Sequence, residues 1–227
     1  MAVKYRHEFK YICNEMELAV IAGRLQRLMK PDKNAGEKGI YNIRSLYFDD
    51  YYNTCFQENE AGTDPREKFR IRIYNAATSR ITLELKRKER GKTLKQSCPI
   101  TIEQCQQLMK GTPFSANSQY PPILQKLNYL MQTRRMKPII IVDYDRTPYV
   151  CQDGNVRVTM DRNISSSPYV MDFLNLSIRK RPIMPAGQHI LEVKYDEFLP
   201  DYIIKNIEIS TLRQTAFSKF YLCRIYK

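Results

Sequence analysis

Lys68-Phe69-Arg70-Ile71-Arg72-Ile73 and, a few residues on, Ile81-Thr82-Leu83-Glu84-Leu85-Lys86 alternate polar and apolar side chains without a break. A period of two puts the apolar residues on one face of an extended chain and the charged ones on the other. The two runs therefore read as β-strands, each with an apolar face and a charged face. The same alternation recurs along the chain. It predicts strands at about 4–12, 40–48, 67–75, 80–89, 93–100, 138–149, 155–162, 188–196 and 219–226. Helices fit between them. Asn14 can cap a helix over about 15–30, Asp49-Asp50 open one over 49–59, and Thr101 opens Ile102–Lys110, which Gly111 closes. Pro121-Pro122 precede a helix to about Arg134, and Pro200 opens another to about Ile209. Many strands with scattered helices predict one antiparallel sheet system, closed or nearly so.

Written strand by strand, the charged faces carry Arg6, Glu8 and Lys10; Lys68, Arg70 and Arg72; Glu84, Lys86 and Lys88; Tyr144 and Arg146; Arg157 and Asp161; and Glu192 and Lys194. On any one strand this is an ordinary solvated face. Taken together, the cations outnumber Glu8, Glu84, Asp161 and Glu192, and like charges on neighbouring strands repel, so a purely structural sheet would mix the signs. Arginine-rich rows with sparse carboxylates suit a polyphosphate. Guanidinium forks take phosphate oxygens, and carboxylates hold a divalent cation. The whole chain points the same way, with 37 Lys+Arg against 24 Asp+Glu and a formal net charge of +13.

Other classes are excluded in turn. At 227 residues, with 43% hydrophobic and 27% charged, the chain is long enough to bury a core and too apolar to be disordered. No run approaches the roughly 18 apolar residues that span a bilayer. The charged start, Met1-Ala-Val-Lys-Tyr-Arg, predicts a cytoplasmic protein. Six cysteines (13, 55, 98, 105, 151, 223) contain no CxxC pair, and His7 and His189 are too few for a histidine-built zinc site or a triad. Gly91-Lys92-Thr93 resembles the end of a Walker A loop, but Lys86 stands where its first glycine belongs. Tryptophan and nucleic-acid-binding signatures are absent, so no nucleic-acid partner is expected.

Taken in order, several segments resemble the VTC-type polyphosphate polymerase domain of the CYTH, or triphosphate tunnel metalloenzyme, superfamily. They are Glu8-Phe-Lys10-Tyr11, Ser45-Leu-Tyr-Phe-Asp-Asp50, Lys68-Phe-Arg70-Ile-Arg72, Glu84-Leu-Lys86 with Lys95, Tyr144-Asp-Arg146, Arg157-Val-Thr-Met-Asp161, Leu191-Glu192-Val-Lys194 and Phe217-Ser218-Lys219-Phe220. The resemblance implies an α+β fold over 1–227: a closed antiparallel barrel of about eight strands with helices outside, binding a triphosphate with Mn²⁺ or Mg²⁺. It implies transfer of the γ-phosphoryl group of ATP to a growing polyphosphate chain. Carried over by position, Lys10, Arg70, Arg72, Lys86, Lys95, Arg146, Arg157 and Lys219 would contact phosphates. Tyr144 and Ser218 would add hydrogen bonds. Glu192 would be the principal metal ligand, with Glu8 and Glu84 behind it. Lys68, Lys88 and Lys194 share the charged faces and are expected to bind substrate. Lys88, Lys95 and Lys219 are expected on strand segments that extend the basic path.

Two positions depart from the family pattern. Arg6 replaces the first glutamate of the ExExK strand, and Asn59-Glu60 stand where fungal relatives place an arginine, leaving open whether Arg66 replaces it. ATP and polyphosphate are the implied partners, with a membrane protein for product export as a further one. A triphosphatase or nucleotidyl cyclase of the same superfamily and a non-catalytic polyanion binder stay open as alternatives.

Overall fold

Alternation decides the architecture, because one face of every long strand must find apolar cover. The computed structural model describes residues 5–208 and 211–226. Its strands are β1 (His7–Asn14), β2 (Lys30–Pro31), β3 (Tyr41–Asp49), β4 (Arg66–Tyr74), β5 (Ala77–Glu89), β6 (Lys92–Ile100), β7 (Lys137–Cys151), β8 (Val156–Ser167), β9 (Arg181–Pro182) and β10 (Gln188–Tyr195). The helices are α1 (Glu15–Leu25), α2 (Thr54–Glu60), α3 (Ile102–Met109), α4 (Pro122–Arg134), α5 (Asp201–Ile207) and α6 (Lys219–Ile225). The outer ends of two expected elements, Lys4 and Ile209, lie outside the described residues.

One antiparallel sheet runs in the order β1-β10-β8-β7-β3-β4-β5-β6, with β2 added to β7 and β9 to β8. The sheet curls until its two edges meet. Arg6 N donates to Thr93 O at 2.9 Å, and Thr93 N donates back to Arg6 O at 2.9 Å. Farther along β1, Thr215 N donates to Lys10 O at 2.9 Å, so the segment ahead of α6 covers the edge that β6 does not reach. The eight strands expected of the barrel are therefore present, and backbone pairing between the edges is confined to Arg6–Thr93 among the described residues.

Apolar faces turn outward and are covered by helices. Phe69, Ile71, Ile73, Ile81, Leu83 and Leu85 pack under α3 and α4 through Cys105, Leu108, Leu124 and Leu127. Val158, Met160, Leu191 and Val193 pack under α1 and α5 through Leu18, Ile21, Leu25 and Ile203. A third cluster is internal. Ile43, Tyr47, Ile140, Val142, Tyr144 and Ile190 meet Phe217, Phe220 and Cys223.

That inner cluster corrects the expected last strand. Residues 219–226 are not a stave of the barrel; Lys219–Ile225 form α6, on the sheet's inner face. Phe220 and Cys223 are three apart and both buried, a helical spacing, and the Ser218 hydroxyl accepts from Tyr221 N at 3.3 Å to cap the first turn. Two helices are also shorter than their patterns predict. The Asn14–Glu17 capping box starts α1 as expected, but the helix stops at Leu25 because Lys30-Pro31 turn to pair with Tyr149 and Val150 of β7. Asp49 ends β3 instead of opening a helix. Its carboxylate accepts from Cys55 N at 2.8 Å and Phe56 N at 3.2 Å, which holds the start of α2.

Phe220→Ala should lower stability by about 3–5 kcal/mol, the usual cost of emptying a buried phenyl site. Urea denaturation measures it. A loss below about 1 kcal/mol would remove α6 from the core.

Candidate active site

Curling the sheet places the charged faces of β1, β4, β5, β7 and β10 around one cavity of about 900 Å³. Lys68, Arg70 and Arg72 project from β4, Lys86 and Lys88 from β5, Glu8 and Lys10 from β1, Glu192 and Lys194 from β10, and Tyr144 and Arg146 from β7. Ser218 and Lys219 enter from the start of α6. Lys219 thus reaches the cavity from a helix, not from an outer strand segment.

Strand register pairs opposite charges where it can. Lys10 lies opposite Glu192 and Glu8 opposite Lys194 across β1 and β10, and Arg70 lies opposite Glu84 across β4 and β5. Each carboxylate is then shared. Glu84 accepts from Arg70 Nε at 2.7 Å and from Lys95 Nζ at 3.2 Å, with Arg72 Nη1 at 3.7 Å. Glu8 holds Lys10 at 2.9 Å and Lys86 at 2.8 Å. Asp161 takes a fork from Arg146 at 2.6 and 2.7 Å and Lys219 at 2.6 Å. Glu192 binds Lys194, with Lys219 at 3.9 Å.

Burial alone would raise these carboxyl groups. Instead Arg72, Arg70 and Lys95 hold Glu84 well below the usual carboxylate range. Burial likewise works against Glu8 and is outweighed by Lys10, Lys86 and Lys194. Glu192 is also held well below, as Lys194, Lys10 and Lys219 overcome burial and the nearby Glu8. These acids are ionised at neutral pH, and cations still exceed them.

Not every expected residue reaches the cavity. Arg157 has the right parity, but its guanidinium binds Asp32 at 2.6 Å and donates to Tyr41 Oη at 2.7 Å, so it does not line the cavity wall. Glu84 lies behind that wall, joined to Arg70, and Lys95 binds Glu84 from a half-exposed position off the lining. Arg6 pairs with Asp196 at 2.7 Å. Arg66 lines the cavity, and Asn59 accepts from Lys68 Nζ at 2.8 Å. Several lining residues escaped the strand-face reading, Tyr47 the most informative of them. Tyr47 accepts from Arg70 Nη1 at 2.8 Å, and Arg70 with Arg72 holds its hydroxyl below the ordinary tyrosine range despite burial. The signal was available, since Tyr47 alternates with Ser45, whose hydroxyl accepts from Arg72 Nε at 3.2 Å.

Among the described residues no group of three or more His, Cys, Asp or Glu side chains is arranged to hold a metal ion. Glu8 and Glu192 face the same cavity and oppose each other electrostatically. Two carboxylates fit a hard cation that takes its other ligands from phosphate and water, and do not fit an all-protein cage.

The VTC domain family matches residues 5–225. The chain belongs to that family. Among solved structures it is similar to the candidate adenylyl cyclase HpAC1 from Hippeastrum, which reveals a dominant triphosphatase activity. That likeness has a TM-score of 0.56 at 14% identity and covers 98% of this chain and 96% of that one. It is also similar to a candidate adenylate cyclase from Vibrio parahaemolyticus, with a TM-score of 0.51 at 8% identity, over 98% and 99% of the two chains. At such identities the likeness establishes a shared tunnel fold. No curated protein sequence matches this one. Among the described residues no helix is long and apolar enough to cross a membrane.

Glu84→Gln should destabilise the protein by about 3–5 kcal/mol in anion-free buffer, since it leaves Arg70 and Arg72 without their carboxylate. Tripolyphosphate should restore more stability to this variant than to the native chain. Wild-type stability should also fall in acid. Glu8, Glu84 and Glu192 bind protons more weakly folded than unfolded, so their contribution is complete above the ordinary glutamate value of 4.5 and drains away below it. Thermal melts across this range measure both effects.

Proposed function

We propose that the cavity binds ATP and polyphosphate and that the chain is a polyphosphate polymerase, passing the γ-phosphoryl group to a growing chain. The observation that carries this reading is the excess of guanidinium and ammonium groups over Glu8, Glu60 and Glu192 along one cavity wall. Membership of the VTC domain family supports it.

Phosphoryl transfer needs positioning and charge neutralisation more than covalent chemistry. Arg70, Arg72 and Arg146 are held by Glu84 and Asp161, so their forks are fixed before substrate arrives and need not reorganise. Lys10 and Lys86, paired with Glu8, and Lys194, paired with Glu192, flank them as point charges, and Lys219 faces them from α6. Tyr144 and Ser218 offer hydroxyls at the same wall. Glu192 and Glu8 would hold the Mn²⁺ or Mg²⁺. The ion would neutralise charge on the phosphates when bound. No general base is required, because a terminal phosphate oxygen of the acceptor is already ionised. Lys95 and Arg157 act from outside the wall, Lys95 by holding Glu84.

Hydrolysis of the same triphosphate is the second reading. It is supported by the likeness to HpAC1 and by α6, which covers the inner face of β3 and β7 where a long product would need passage.

Incubating the protein with ATP and Mn²⁺, and assaying long-chain polyphosphate and orthophosphate separately, distinguishes the two. Polymer is expected, with yield raised by a short polyphosphate primer. Orthophosphate alone would give the site to hydrolysis. Arg72→Ala should weaken triphosphate binding by roughly tenfold to a hundredfold, the loss of one charged hydrogen bond. Glu192→Gln should abolish turnover and leave ATP binding measurable, whereas normal turnover at saturating Mn²⁺ would remove Glu192 from the metal site.

A further inference from the structure

Lys68 stands apart from the other partly buried lysines in what it touches. Lys10 and Lys86 share Glu8, Lys194 binds Glu192, and Lys219 binds Asp161. Among the described residues Lys68 forms no such ion pair. Its Nζ donates to two neutral oxygens, Asn59 Oδ1 at 2.8 Å and Ser218 Oγ at 3.4 Å, and lies 5.3 Å from the centre of the Phe220 ring.

Its charged surroundings are mostly of its own sign. Lys86 on β5, Lys10 on β1 and Arg66 on β4 all oppose a positive charge there. On α2, Cys55 is the nearby group that would favour that charge, but burial raises its thiol and keeps it neutral. The remaining acids are engaged elsewhere: Glu8 by Lys10 and Lys86, and Glu60 by the Tyr221 hydroxyl at 3.2 Å. Tyr47 on β3 faces Arg70, and Lys219 on α6 faces Asp161. An ammonium without a counter-charge, on the wall of an anion-sized cavity, is a place where an arriving anion changes the protonation equilibrium most.

We infer that Lys68, held between Asn59 and Ser218, contacts the bound phosphate chain and takes up a proton as it does so. The inference rests on the proposed triphosphate site and adds a proton to its binding reaction: free amine, proton and polyphosphate combine to an ammonium–phosphate pair. Burial, with Lys86, Lys10 and Arg66, pulls the unliganded Lys68 down to about 7, so near pH 8 it is mostly uncharged. A phosphate oxygen supplies the missing negative charge and raises it again. The sign follows: uptake on binding makes affinity fall as pH rises above 7, by up to about tenfold per unit from this one group. Lys86 is also lowered, to about 8, but it already holds Glu8.

Isothermal titration of the full chain with tripolyphosphate, without metal, at about pH 8 in buffers of different ionisation enthalpy counts the protons exchanged. Lys68→Arg keeps the charge and cannot titrate in this range. In a Lys86→Arg background, where position 86 no longer titrates, the chain with Lys68 should take up about one proton more per site than the chain that also carries Lys68→Arg, the ligand's own protons contributing alike to both. Equal counts, with tripolyphosphate bound by both proteins, would overturn the inference and leave the triphosphate site standing. Failure of the wild type to bind tripolyphosphate would overturn the site, and the inference with it. The larger guanidinium can displace Asn59, so a second measurement uses the wild type alone. The Lys68 side-chain nitrogen, followed by heteronuclear NMR, should titrate near 7 in the free protein and stay charged at about pH 8 with tripolyphosphate. A free-protein midpoint near 10, the ordinary lysine range, would overturn the inference.

Discussion

The Arg70 and Arg72 guanidiniums converge on one buried carboxylate, Glu84, and the rest of the structure follows from that need for a partner. Curling the sheet withdraws much of its charged face from bulk water, so the buried cations on the concave side must meet a carboxylate, another polar oxygen or a ligand. Antiparallel register answers part of the demand by setting Glu84 beside Arg70 and Glu192 beside Lys10. Asp161 answers another part for Arg146 and Lys219. The carboxylates are too few to finish the task, and the proposed anion site rests on that surplus of cations. Apolar packing is displaced to the convex side, which is why α1, α3, α4 and α5 all lie outside the sheet.

Alternation made most of this legible. Strands of period two with charges in register need neither a structure nor a relative to be read, and the β4–β5 pair follows from Lys68–Ile73 and Ile81–Lys86 alone. What alternation cannot give is position along the barrel. Arg157 faces inward as its parity requires, yet Asp32, far away in sequence, captures its side chain. Lys95 lies on β6 at the sheet edge and reaches only Glu84. Parity fixes the face, and the reach of a long side chain is set by partners that periodicity does not reveal.

The C-terminal segment failed for a different reason. Phe217-Ser-Lys-Phe-Tyr-Leu-Cys-Arg-Ile-Tyr is dense in aromatic and branched residues, which a local reading assigns to a strand. The β1 edge was already taken by the segment around Thr215, whose backbone bonds to Lys10. The available apolar surface was instead the inner face at Ile43, Ile140 and Val142, and a helix with Phe220 and Cys223 on one side fits it. Tertiary demand overrode local propensity.

That helix shapes the chemistry as much as the fold. A strand at 219–226 would have set Lys219 in line with the other rows, as one more repelling cation beside its neighbours. On α6 it arrives from across the cavity, close to Asp161 and Glu192, on acids that β8 and β10 supply. Glu192 therefore carries lysines on two sides, and Glu8 does too. A bare divalent cation approaching either must displace ammonium groups and cross a positive field before it gains a ligand. With phosphate present, Lys10, Lys86, Lys194 and Lys219, which neutralise these carboxylates in the free protein, would have phosphate oxygens to bind instead. On the proposed reading, Glu8 and Glu192 would therefore hold a divalent cation only together with the phosphate it neutralises, supplying part of its coordination.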